Sequence, residues 1–134
     1  LCLCLAPSLR AEDAEKAAIG VVEKCGGKLK RDESQDGKPV IKVNLGFTLG
    51  DRTKLAGGDL SKLLAFKKLS DLSLSGTPVT DKDLKILAGF PELETLDLGF
   101  TSISDEGLKD LKSIKKLTSL DLSSTTVSDG GVEE

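Results

Sequence analysis

The apolar residues of the chain follow one pattern that occurs twice in full and begins a third time. The three copies start at Leu69, Leu93 and Leu117, 24 residues apart, and read LSDLSLSGTPVTDKDLKILAGFPE, LETLDLGFTSISDEGLKDLKSIKK and LTSLDLSSTTVSDGGVEE. A fixed period of this length is typical of a solenoid, in which each copy forms one supersecondary unit and neighbouring units stack.

The spacing of the apolar residues changes within each copy. Leu72 and Leu74 alternate with polar residues, which predicts a short strand with one buried face. Leu84, Leu87 and Phe90 recur at every third position, which predicts one face of a helix. No unit can bury these residues alone. We therefore predict stacked coils, with parallel strands about 4.8 Å apart over a continuous leucine core.

Hydroxyl residues precede each predicted helix and favour its start. These residues are Thr80, Ser104 and Ser128, and an acidic residue follows each of them. Serine and threonine are good helix N-caps, and a carboxylate in the first turn interacts favourably with the helix dipole. We expect these hydroxyls to cap the helices and the acidic residues to be structural.

These residues resemble the leucine-rich repeat family, in the LxxLxLxxTxVTDxxL form common in bacterial tandem arrays and related to the cysteine-containing and ribonuclease-inhibitor-like repeats. The resemblance covers residues 69–134 strongly and residues 40–68 weakly. It implies an α/β solenoid with parallel strands on the concave side, helices on the convex side, and a protein as partner. The family's usual Asn or Cys is Thr here, at Thr77, Thr101 and Thr125. By resemblance, their hydroxyls would bond the loop backbone in a ladder from coil to coil.

The sequence before Leu69 contains a divergent coil and a cap. Val40, Val43 and Leu45 match the leucines of the later copies, with a five-residue insertion within residues 49–58. Residues 12–25 form a predicted helix that ends at two glycines, and a strand pattern follows at residues 28–31. The predicted divisions are a truncated signal-peptide remnant at 1–11, an N-terminal cap at 12–39, and coils at 40–68, 69–92, 93–116 and 117–134, the last one truncated.

The N-terminus indicates an exported protein. The apolar sequence LCLCL is followed by small residues, as at the end of a signal peptide, with cleavage predicted near Ala6-Pro7-Ser8 or Leu9-Arg10-Ala11. A periplasmic, envelope or secreted location follows from this interpretation. The alternative is an apolar N-terminal strand or helix of the mature domain in a cytoplasmic protein. Cys25 lies at apolar helix spacing, which favours a small buried side chain over a reactive thiol.

Composition restricts the partner and the core. The chain has 134 residues, 38% of them hydrophobic, and only 3% aromatic residues, so Leu, Val, Ile and Ala must build the core of one domain. The net charge of −3 argues against nucleic acid or an anionic membrane surface as the main partner. No apolar run is long enough to cross a bilayer. A protein is the partner that the family resemblance implies.

The candidates for chemistry are weak. The chain contains no His, which removes Ser-His dyads and the common zinc sites, and it has no G-x-S-x-G, P-loop or dinucleotide-binding motif. Ser113 to Lys116 match S-x-x-K without its companion motifs, and Asp81-Lys82-Asp83 lacks the glycine and closing glutamate of a calcium loop. We predict no catalytic residue, no metal and no cofactor.

The strand residues beside the buried leucines provide the candidate binding surface. Those predicted to contact a partner on the concave side are Asp71, Ser73, Thr95, Asp97, Ser119 and Asp121, and the aspartates favour a basic partner. Phe47 and Phe100 occupy one repeat position where other coils have Gly76 and Ser124, so core packing does not require them. We predict that both anchor a protein ligand.

An alternative stands beside this prediction. The strand face could be a solvated polar surface without a partner, with the rings of both phenylalanines folded over adjacent loops. The chain would in that case act as a structural spacer or regulatory repeat segment of a larger exported protein.

Overall fold

The computed structural model describes residues 7–46, Leu55 and residues 58–128. In chain order the elements are α1 (Pro7–Lys24), β1 (Lys28–Arg31), β2 (Val40–Asn44), α2 (Asp59–Lys62) with a 3-10 turn (Leu63–Ala65), β3 (Asp71–Ser73), α3 (Asp81–Leu87), β4 (Thr95–Asp97), α4 (Asp105–Leu111) and β5 (Ser119–Asp121). In the coils that begin with β2, β3 and β4, the strand is thus followed by a helical segment, as the change of apolar spacing predicts.

The strands form one sheet in the order β1-β2-β3-β4-β5. β2 to β5 are parallel, and each leucine pairs with its equivalent one coil away: Leu72 with Leu96, and Leu96 with Leu120. Val43 pairs with Leu72, which confirms the alignment of the divergent first coil. The α/β architecture with one parallel strand per coil is therefore confirmed.

Leucines from strands and helices meet in one core. Its largest fully buried side chains are Leu45, Leu60, Leu63, Leu69, Leu72, Leu74, Leu84, Leu87, Leu93, Leu96, Leu98 and Ile103. Phe66 and Phe90 fill the same core near the ends of the helical segments. At β5, the last described strand, Leu120 is 39% exposed, whereas the equivalent Leu96 is 1% exposed.

The N-terminal segment covers the other end of the core. α1 buries Ala18, Val21 and Val22 against it, and β1 pairs with β2 in the antiparallel sense. Lys24 Nζ lies 2.9 Å from the carboxylate of the buried Asp59, which ties α1 to the first coil. α1 begins at Pro7, five residues before the predicted helix start, so the predicted division at residue 11 falls inside α1 and stays a prediction.

Cys25, just after α1, is half-buried beside the core. Burial raises the pKa of its thiol, with the charge of Asp59 as a further cause. A raised thiol pKa lowers the fraction of reactive thiolate, as expected for a cysteine that packs rather than reacts.

The repeated threonines bond within their own coils. The hydroxyls of Thr77, Thr101 and Thr125 each donate to the carbonyl three residues earlier, at 2.5, 2.6 and 2.7 Å. The expected bond to the loop backbone is present, but the expected ladder from coil to coil is wrong for these hydroxyls. Each threonine closes the turn that follows its strand.

The side-chain links between coils use a different set of residues. Ser104 donates its hydroxyl and its N–H to Asp81 of the preceding coil, at 2.7 and 2.8 Å. Ser128 does the same with Asp105, at 2.5 and 2.7 Å. These hydrogen bonds lower the pKa of Asp105, the hydroxyl of Ser128 being the larger cause.

The expectation that serine hydroxyls cap the helices is therefore wrong for Ser104. Ser104 precedes α4 with an extended backbone, φ −118°, but its side chain makes no capping bond and binds the neighbouring coil instead. The helix predicted after Ser128 lies outside the described residues. Before α3, Asp83 Oδ2 accepts the N–H of Thr80 at 2.9 Å, which is the reciprocal bond of a capping box.

Gly107 allows α4 to lie close to α3. A Cβ on this buried glycine would lie 2.5 Å from Asp81 Oδ1 and 2.7 Å from Leu84 Cδ1. Leu84 is in the core, and the carboxylate of Asp81 is held by Ser104. A larger residue would have to displace one of them.

We expect Gly107→Ala to destabilise the chain by about 1 to 3 kcal/mol through this overpacking. Alanine is the better helix former by about 1 kcal/mol, so propensity alone predicts the opposite sign. The matched control is Gly20→Ala in α1, where a Cβ meets nothing within 4 Å. Urea unfolding of both variants checks the prediction, and a Gly107→Ala variant as stable as Gly20→Ala would contradict the described packing of α3 on α4.

Candidate functional site

The residues beside the central leucine of each strand form two rows on one side of the sheet, the side predicted to be concave. We call this side the outer sheet face. The row before the leucine contains Lys42, Asp71, Thr95 and Ser119, and the row after it contains Asn44, Ser73, Asp97 and Asp121. Successive strand residues point to opposite sides, so the rows face away from the buried leucines. The structure thus brings the six predicted strand residues onto one surface.

The two charged residues of the first row, Lys42 and Asp71, have opposite charges and form an ion pair. Lys42 Nζ lies 3.2 Å from Asp71 Oδ1 across β2 and β3. Thr95 and Ser119 continue the row without charge. Asp71 therefore contributes little net charge to the outer sheet face, although its sequence position favours a basic partner.

The second row carries two carboxylates on neighbouring strands. Asp97 on β4 pairs in register with Asp121 on β5. Asp97 accepts the Ser73 hydroxyl on Oδ2 at 2.8 Å and the Gly99 N–H on Oδ1 at 3.0 Å. Among the described residues, no lysine or arginine forms an ion pair with either aspartate. Negative charge is therefore concentrated where β4 and β5 end.

Asp121 keeps one oxygen open. Its Oδ1 accepts both the hydroxyl and the N–H of Ser123, and these bonds lower the pKa of Asp121, the hydroxyl being the larger cause. The described residues donate no hydrogen bond to Oδ2. Since a lowered pKa keeps a carboxylate ionised at neutral pH, Asp121 presents a charged and unshared acceptor to solvent.

Phe100 lies just beyond the end of β4 and is exposed. Its exposure is 70%, the highest of the large hydrophobic residues in the described part of the chain, while Phe66 and Phe90 are buried. The alternative that this ring folds over an adjacent loop does not fit that exposure. Phe47, the predicted second anchor, lies outside the described residues, so its role stays a prediction.

The backbone at Phe100 is in the left-handed region, with φ +55°. The equivalent residues Gly76 and Ser124 have φ +69° and +54°, so the three coils that begin at Leu69, Leu93 and Leu117 make the same turn here. Glycine adopts this conformation freely, whereas other residues pay about 1 to 2 kcal/mol. The N–H of Phe100 donates to Ser123 O at 2.8 Å, which holds the turn against the next coil. Phe100 thus combines an exposed ring with a strained backbone.

The described residues form neither a metal-binding cluster nor a membrane-spanning helix. They contain no group of three or more His, Cys, Asp or Glu side chains placed to hold a metal ion. None of their helices has both the length and the apolar character needed to cross a membrane. The two rows of the outer sheet face consist of polar side chains, which are short except for Lys42, and the exposed ring of Phe100 lies just beyond the end of β4.

Comparisons with known proteins find similar repeats and a similar fold. The model of a family described as Leucine Rich repeat matches residues 92–112 and 113–134, which correspond to the last two coils. The tropomodulin C-terminal domain of Caenorhabditis elegans aligns with a TM-score of 0.51 and 14% identity, over 84% of this chain and 65% of that domain. An internalin from Listeria monocytogenes aligns with a TM-score of 0.39 and 21% identity, over 53% of this chain and 27% of that one. No curated protein matches the chain.

We expect Phe100→Gly to leave the free energy of unfolding unchanged or to raise it by up to about 1 kcal/mol, because glycine relieves the strain at φ +55° and little ring burial is lost. Phe90→Ala, which empties a core position, should cost about 3 to 5 kcal/mol. Denaturant midpoints compare the variants. A loss of more than about 1 kcal/mol in Phe100→Gly would show that the ring supports the fold.

Proposed function

Because the chain belongs to the leucine-rich repeat family, we propose that it binds a protein partner on the outer sheet face, with Phe100 as the anchor. The observation that carries the proposal is the 70% exposure of a large aromatic ring on a backbone that glycine would occupy more cheaply. A residue that exposes apolar area and strains the backbone is best explained by a contact outside the chain.

The surroundings of Phe100 suit such a contact. Glycine and serine border the ring position: Gly99 precedes it, and Ser123 receives its backbone hydrogen bond. Small neighbours let a partner approach the ring closely. The backbone bond holds the ring's attachment point before binding, which reduces the ordering cost that a flexible anchor would pay on association. Aromatic side chains are enriched at the centres of protein interfaces.

The second candidate is a structural or regulatory segment of a larger protein. The in-register pairing of equivalent strands favours it, because stacked coils of this kind interact mainly with their neighbouring coils. In that case no residue of the outer sheet face is required for binding.

We also propose export, supported by the apolar LCLCL sequence at residues 1–5. Recovery of the native protein only from the cytosolic fraction would contradict export.

The test is a titration with matched variants. The purified chain captures its partner from an extract of the source cells, and the identified partner is then produced separately and titrated. Phe100→Ser places at this position the residue that Ser124 already supplies at φ +54°, so the backbone conformation is preserved. Lys85→Ala, on the exposed side of α3, is the control.

We expect Phe100→Ser to weaken binding by at least about 2 kcal/mol, or about 30-fold in Kd, as for truncation of an interface hot spot. Lys85→Ala should leave Kd unchanged. Unchanged affinity in Phe100→Ser would overturn the proposal, and a loss confined to Lys85→Ala would move the interface to the helical side.

A further inference from the structure

We infer that the partner is a second copy of this chain, whose apolar groove between α1 and the 3-10 turn receives the ring of Phe100. The inference rests on the proposed function, because it names the protein that Phe100 anchors. Each contact joins the end of β4 in one molecule to the N-terminal segment of the next. We call the receiving surface the cap groove.

The cap groove exists because α1 is longer than the core that it covers. Ala18, Val21 and Val22 of α1 are buried against the core. Three alanines that precede these residues in α1 lie beside the 3-10 turn and remain exposed. The apolar residues that line the groove, which has a volume of about 350 Å³, are Ala11, Ala14, Ala17, Leu64 and Ala65.

The size of the cap groove suits one aromatic ring. Small-molecule pockets have volumes of about 300 to 1,000 Å³, so a volume near the lower limit accommodates a single large side chain. Phe100 offers such a side chain, because its ring is 70% exposed and its N–H is fixed to Ser123 O at 2.8 Å. The other two described phenylalanines, Phe66 and Phe90, are buried. Insertion of the Phe100 ring removes apolar area on both surfaces from water, which favours association.

The charges at the two surfaces are complementary. Both charged residues that line the cap groove are lysines, Lys62 and Lys67. Lys62 shares the single carboxylate of Asp59 with Lys24, at 3.2 and 2.9 Å, so this part of the groove keeps a positive charge. Asp97, three residues before Phe100, forms no ion pair with a lysine or arginine of the described chain. Opposite potentials of this kind favour the pairing of the two surfaces and speed their encounter.

The ring and the groove belong to different ends of the chain. Phe100 follows β4, whereas the groove lies between α1 and the 3-10 turn of the first coil, and Phe100 is not among the residues that line it. A second copy must therefore supply the ring. Such a contact is heterologous and leaves one ring and one groove free, so it produces open chains or closed rings of molecules.

Sedimentation equilibrium of the full chain under reducing conditions measures this association. We expect the mass of the wild type to exceed that of a dimer as the concentration rises from about 1 µM to about 1 mM, the range of weak contacts. Phe100→Ser should weaken association about 30-fold, as for truncation of an interface hot spot. The double variant Ala14→Gln with Ala17→Gln fills the groove and should weaken it at least as much. Glutamine is a good helix former, so these exposed positions of α1 tolerate it.

A mixture of the two variants tests the direction of the contact. Phe100→Ser retains the groove, and the double glutamine variant retains the ring. We expect their equimolar mixture to form a 1:1 dimer that grows no further. The matched control is Lys16→Gln, an exposed residue of α1 that lies two positions after Ala14 and therefore on another side of the helix. It should associate as the wild type does, and urea unfolding verifies that each variant is folded.

The results separate this inference from the function on which it rests. A wild type that stays monomeric to about 1 mM overturns the second copy as partner and leaves the groove to another occupant. Association as strong as that of the wild type in either variant, or a mixture of variants that stays monomeric, overturns it as well. In each of these cases the captured partner decides the proposed function. A Kd that depends on Phe100 leaves that function standing, and a Kd that does not depend on Phe100 overturns it too.

Discussion

Burial of leucine between coils is the constraint on which this structure depends. Each strand contributes a thin layer of leucine side chains, and that layer is buried from water only when a coil lies on both sides of it. Leu96, with neighbours on both sides, is 1% exposed, whereas Leu120 at the same position in the last described strand is 39% exposed. The in-register parallel pairing, the serine–aspartate links between coils and the absence of a side chain at Gly107 all permit the close approach that this burial needs.

The same constraint creates the surface that we propose to be functional. Strands stacked in register place equivalent residues beside one another, so any polar residue next to a leucine becomes part of a row across the sheet. The chain uses most of these positions for short side chains that bond to a neighbouring strand or to their own turn. Phe100 departs from that pattern, because its ring remains exposed.

The fold could be predicted from the sequence because one period determines both the register and the buried face. Val43 matches Leu72 in the pattern and pairs with it in the sheet. The roles of the turn residues could not be predicted in the same way. A local rule assigns Ser104 to its own helix, but Asp81 from the preceding coil competes for the hydroxyl, and that proximity exists only after stacking. At the candidate site, the sequence showed that Phe100 and Gly76 are equivalent, but not that their shared turn requires positive φ.

Native-state amide hydrogen exchange tests the central claim, that each coil is stabilised by the next, most directly. The N–H groups of Leu74 and Leu98 donate to the following strand at 2.8 Å, whereas the equivalent N–H of Leu122 has no following strand in the described part of the chain. We expect Leu74 to be the best protected and Leu122 to exchange through local opening at a much lower free energy. Leu98 should lie between them, because its acceptor Asp121 belongs to the coil that opens. Equal protection of all three amides would contradict the account.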